Sequence, residues 1–200
     1  MLFKSGGAFL TASQSLISTV DSYENYIERN GIDEQVIDAY IQAVAVALRT
    51  EHDVDYGLKI SARSKQLIAS YVKQHTGGRV ADLEVYAGEH DTTYKVLQQF
   101  YDVLMYESAY LVDSFFYYIE IDEKDPWKRF YFPRRKVLQP VVGAYQEIYD
   151  GKLDFLSVSQ PKRTGKTTGG LKLAQMMGGR DPDGSIFGVG KGEGLVKRFY

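Results

Sequence analysis

Apolar residues return at helical intervals through the first two thirds of the chain. From Glu34 to Leu48, after the polar Asp33, the positions Ile37, Tyr40, Ile41, Val44 and Leu48 fall on one face, and this predicts a packing helix. Leu67, Ile68, Tyr71 and Val72 mark another, with a stop expected at Gly77-Gly78, where glycine adopts a left-handed cap without steric penalty. A longer helix is expected after Asp91, carrying Val96, Phe100, Val103, Tyr106 and Tyr110 at steps of three and four and running to about Tyr118.

The organisation changes at Ile121 to Trp127, IDEKDPW, where charge and a proline interrupt the pattern. Residues 1–128 therefore read as a helical region and 129–200 as the start of a second domain. Arg129 to Phe132 is short and aromatic, as an extended segment is, and Pro140 suits the first turn of a helix that runs to Tyr149 and ends at Gly151. Phe155-Leu-Ser-Val-Ser159 then reads as a strand, QPKRTGKTT as a loop, and Gly170 to Met177 as an apolar helix. Ser185 to Gly190 reads as a further strand. Strand, loop and helix in that order predict an α/β fold: a mainly helical N-terminal region followed by the truncated beginning of an α/β domain.

Composition excludes little. With 44% hydrophobic residues the chain is expected to fold, and 24 Lys+Arg against 26 Asp+Glu leave no basic excess to advertise nucleic acid. The absence of cysteine removes disulfides, thiolate catalysis and cysteine-based zinc sites. The apolar tract from Leu111 to Ile121 is interrupted by Asp113 and Glu120 and is too short to span a membrane, and the first residues carry no sustained apolar run, so a cytoplasmic location is expected.

The strongest candidate chemistry lies in Gln160 to Thr168. It matches a phosphate-binding loop at its end but not at its start, where Gln160 replaces the first glycine. Gly165 would let backbone amides face a phosphate, with the positive end of the next helix dipole adding to them. Lys166 would reach the β and γ phosphates of ATP, and the Thr167 hydroxyl would hold Mg²⁺, with Thr168 beside it. Lys162 and Arg163 lie inside the loop, where a cation could stabilise charge developing on the γ-phosphate; a solvated basic pair is the plainer alternative.

From Tyr117 to Leu138, YYIEIDEKDPWKRFYFPRRKVL, and again from Asp154 to Thr168, DFLSVSQPKRTGKTT, the chain resembles the large terminase subunit of tailed phages. Phosphate loops of that family often lack the first glycine and carry an early basic residue, which favours Lys162 over Arg163. The resemblance implies a RecA-like P-loop ATPase that drives double-stranded DNA through a portal protein into a capsid, together with a small terminase subunit. It also implies a glutamine that recognises adenine upstream of the loop, for which Gln139 and Gln146 are candidates, although a surface glutamine without a ligand suits each equally. Arg134 and Arg135 are candidates for phosphate or DNA, or a solvated pair.

Hydrolysis needs a carboxylate pair at the end of a strand downstream of the loop, and no such strand follows Thr167, so weak binding without efficient turnover is expected of this stretch. Asp122 and Glu123 end the strand-like run FFYYIEIDE but precede the loop, and read as a helix end and linker. His52 and His90 stand beside acids without metal-ligand spacing, and the glycines at 188, 190, 192 and 194 lack the dinucleotide-binding interval. The tyrosines from Tyr101 to Tyr118 read as core residues rather than base-stacking ones. Two alternatives stay open: another DNA motor such as a helicase, and a helical interaction module with a vestigial loop.

Overall fold

The structure, a computed structural model, describes residues 12–76, 91–125, 127–161 and 164–186. Seven α-helices account for the regular structure there: α1 (Ala12–Asn30), α2 (Glu34–Thr50), α3 (Val54–Thr76), α4 (Asp91–Ser108), α5 (Val112–Tyr118), α6 (Arg135–Tyr149) and α7 (Lys166–Arg180). Among the described residues there is no strand and no sheet, which overturns the expected α/β, RecA-like architecture. The chain divides into two compact units, residues 1–106 and 107–200.

In the first unit the predicted helices form where their patterns fall. Asp33 caps α2, its carboxylate accepting from the Gln35 amide at 3.0 Å, and Ile37, Tyr40, Val44 and Leu48 are buried as their spacing requires. Gly31, at φ +86, ends α1 by donating to the Ile27 carbonyl at 2.9 Å. The core gathers these residues with Val20, Ile60, Ile68, Tyr71 and Val96. Polar groups then join helix to helix. Arg63 of α3 bonds Asp21 at 2.6 Å and Glu24 of α1, and Glu24 also accepts from the buried Tyr40 hydroxyl at 2.9 Å. Burial first, and the Glu24 charge next, push the Tyr40 phenol far above its ordinary pKa. The helix stop expected at Gly77-Gly78 lies outside the described residues.

The second unit departs from expectation in three places. The helix predicted to reach Tyr118 breaks at Ala109–Leu111 and resumes as α5. No proline or glycine marks the break; side chains of α6 supply the missing partners instead, as described below. Arg129 to Phe132 is not extended: a 3₁₀ turn at Phe132–Arg134 feeds directly into α6. Pro140 consequently lies inside α6, at an exposed position, because the helix begins five residues before it, at Arg135.

The third departure concerns the segment read as a strand. Residues 155–160 form no regular element, and Leu156 and Val158 pack against the core while Phe155, Ser157 and Ser159 are exposed. That is strand periodicity, but a sheet requires a neighbouring backbone to complete the hydrogen-bond ladder, and the described chain provides only helices. Ser185 and Ile186 are likewise outside any strand, and residues 187–190 lie outside the described residues. The core of this unit is aromatic, with Phe116 edge-on to Tyr131 at 5.4 Å between ring centroids and to Tyr145 at 6.2 Å.

Candidate functional site

The loop that carries the motif enters α7 through Gly165. Its φ of +91 is left-handed, which only glycine adopts freely, and a Cβ built there would overlap the Phe130 ring. Two reasons therefore hold glycine at this position. Just before it, the Thr164 hydroxyl donates to the Pro161 carbonyl at 2.7 Å and tightens the turn.

The first helical bond of α7 runs from the Gly169 amide to the Gly165 carbonyl at 2.8 Å. No side chain caps the helix, so the amides of its first turn at Lys166, Thr167 and Thr168 have no acceptor among the described residues. The side chains of Lys166 and Thr167 are exposed beside them, and Thr168 is half-buried. A cation, a hydroxyl and amides without a side-chain cap thus stand together at the positive end of a helix dipole. Thr167 contributes one oxygen suited to Mg²⁺, and among the described residues no cluster of three or more His, Asp or Glu is disposed to hold a metal. Lys162 and Arg163 lie outside the described residues, as does His90, and His52 is exposed.

Helix α7 is anchored along its length. Gly169 meets the Tyr145 ring of α6, where a Cβ would lie 3.2 Å from Tyr145 Cε2. Lys172 donates to Glu120 at 2.6 Å with both side chains largely buried. Arg180 donates to the Tyr149 carbonyl at 2.5 Å and stands 4.9 Å from that ring's centroid.

The two glutamines separate. Gln139 is exposed near the start of α6, with its amide open. Gln146 has every polar atom engaged: Oε1 accepts from the Val112 amide at 2.8 Å, and Nε2 donates to the Tyr110 carbonyl at 3.0 Å and to Asp150 Oδ1 at 2.8 Å. With the Tyr149 hydroxyl donating to the Ala109 carbonyl at 2.7 Å, it satisfies the break between α4 and α5.

The arginines separate too. Arg135 forms a two-pronged pair with Asp113 of α5, at 3.0 and 2.6 Å, which raises its pKa still further. Arg134 is exposed, donating only a long 3.3 Å bond to the Phe130 carbonyl. Asp113 also accepts from the Tyr131 hydroxyl, and burial, followed by that bond, raises the Tyr131 pKa well above normal.

Glu123 does not end a strand: its carboxylate accepts from the Asp125 amide at 3.0 Å in a turn after α5, and Asp122 belongs to the same turn. Among the residues that sequence reasoning passed over, Glu120 and Phe130 matter most for the loop. Glu120 lies in the run FFYYIEIDE and Phe130 in the short aromatic segment RFYF, and neither carries a local motif.

No helix among the described residues is long and apolar enough to cross a membrane. Comparison of the chain with family models, curated proteins and solved structures finds no match, so the geometry above and the residues of the loop carry the functional reading.

Proposed function

We propose that Gln160 to Thr168 binds the phosphates of ATP and that the chain serves as the nucleotide-binding part of a DNA-packaging motor of the terminase kind. The observation that carries the first half is the left-handed Gly165 opening α7 directly onto exposed Lys166 and Thr167, with the first-turn amides uncapped. The second half rests on the resemblance of Tyr117–Leu138 and Asp154–Thr168 to the large terminase subunit, with double-stranded DNA, the portal protein and the small subunit as its partners.

In this reading Gly165, Lys166 and Thr168 hold the phosphates, and Thr167 offers its hydroxyl to Mg²⁺, which would neutralise phosphate charge. Lys162 and Arg163 are the cations assigned to the γ-phosphate. Gln139 is the better candidate for adenine, because the amide of Gln146 is already consumed.

Equilibrium binding of a magnesium–ATP analogue tests the reading, with weak but measurable binding expected and its loss in Lys166→Ala. Binding that survives Lys166→Ala unchanged would exclude the loop as the site. A second reading, a helical interaction module with a vestigial loop, is favoured by the absence of any sheet among the described residues. It predicts no Lys166-dependent binding at all.

A further inference from the structure

Beneath the loop, Gly165 packs on the ring of Phe130 so closely that no other residue would fit. That ring is held in turn. The Glu120 Oε2 atom accepts from the amides of Tyr131 at 2.6 Å and Phe132 at 3.2 Å, the two residues after Phe130, which fixes the backbone that presents the ring. The Oε1 atom of Glu120 accepts from Lys172 at 2.6 Å, and the same ammonium lies 5.6 Å from the centroid of the Phe130 ring.

Lys172 belongs to α7, the helix whose first turn bears Lys166 and Thr167. The chain of contacts therefore closes on itself, from Glu120 to the Phe130 backbone, from the ring to Gly165, and along α7 through Lys172 back to Glu120. A buried carboxylate that is paired and also saturated by backbone amides is costly to disturb, so this ring of contacts has one arrangement.

We propose that Phe130, Glu120 and Lys172 are positioning residues for the phosphate loop: they clamp Gly165 in its left-handed conformation and so aim the amides of Lys166 to Thr168. Given that the loop binds phosphate, affinity depends on an aromatic ring that never touches the ligand. Misaiming a row of donors by an ångström costs about tenfold or more in binding.

The test uses the full 200-residue chain and two probes, inorganic tripolyphosphate and the magnesium complex of a non-hydrolysable ATP analogue. Phe130→Ala is expected to raise Kd for both by about tenfold, and Phe130→Tyr, which keeps the ring, to restore it. The Gly165 amide and α-proton resonances should shift in the alanine variant and return in the tyrosine variant, a signature that a general loss of stability does not produce. Glu120→Gln leaves Lys172 buried without its charge partner and can unfold the unit, so the paired variant E120Q/K172M is read beside it, with the same rise in Kd expected on a folded chain. Tight binding by the wild type together with unchanged Kd values in Phe130→Ala and E120Q/K172M overturns the positioning role and leaves the loop intact as a site. Failure of the wild type to bind either probe removes the phosphate-loop reading itself, and the positioning role with it.

Discussion

The two units use polar side chains in different ways. In the first, charged groups connect one regular helix to another: Arg63 to Asp21 and Glu24, Lys95 to Asp38 at 2.7 Å. The α1–α2 and α2–α3 connections are short and are capped locally, by Asp33 before α2 and by Asp53, whose carboxylate accepts from the Tyr56 amide at 3.2 Å, before α3. In the second, side chains serve the irregular backbone. Glu120 holds the amides of Tyr131 and Phe132, and Gln146 closes the gap between α4 and α5. The difference teaches how a unit whose described regular structure is helical can keep irregular backbone: distant side chains replace the partners that helices would have supplied.

The sharpest way to break this comparison is through the cores. Ile37→Ala in the first unit and Phe116→Ala in the second, both fully buried, should cost about 2–5 and about 3–5 kcal/mol respectively, read by chemical denaturation. Only Phe116→Ala should also perturb the Gly165 resonances, since its ring supports Tyr131 and Tyr145. Equal effects on the loop from both would erase the distinction drawn here.

Next in size is Gln146→Leu. It strands the Val112 amide and the Tyr110 carbonyl and should cost about 1–3 kcal/mol, whereas Gln139→Ala should leave stability within about 0.5 kcal/mol and weaken binding of the ATP analogue. A stable Gln146→Leu that no longer binds nucleotide would reverse the assignment of the two glutamines.

Alkaline pH gives a third contrast. The folded state raises the pKa of Tyr40, so the stability this phenol contributes is fully present below its unfolded pKa of about 10 and is lost as pH rises above it, by up to about 1.4 kcal/mol per pH unit. Tyr40→Phe should flatten that decline in the first unit, and a decline of unchanged slope in the variant would mean that another group is responsible. The smallest effect on folding is expected at Lys166: Lys166→Ala should leave the unfolding free energy within about 0.5 kcal/mol of wild type, because its side chain is exposed.

Local features were legible in the sequence. The Asp33 cap, the buried face of α2 and the stop at Gly151 with its φ of +71 follow from residues within one turn of the event, whereas α7 begins at Lys166, ahead of the Gly170 start that its apolar residues predict. The misreadings share a cause. Leu156 and Val158 alternate inward as strand residues do, but alternation reports one covered face and says nothing about a neighbouring strand. The break after Ser108 is partnered by Gln146, which acts from outside the local pattern. Glu120 and Lys172 stand 52 positions apart, and no periodicity links them.

Gln146 carries a consequence for reading families of such chains. Its amide grips main-chain atoms at Tyr110 and Val112, and a main chain presents the same groups whatever residue bears it. Those two contacts constrain the glutamine but ask nothing of the side chains at Tyr110 and Val112, so among relatives they would hold the glutamine without a covarying companion at either position. That is the pattern ordinarily taken for a ligand-binding residue, and a brace on irregular backbone is expected to mimic it.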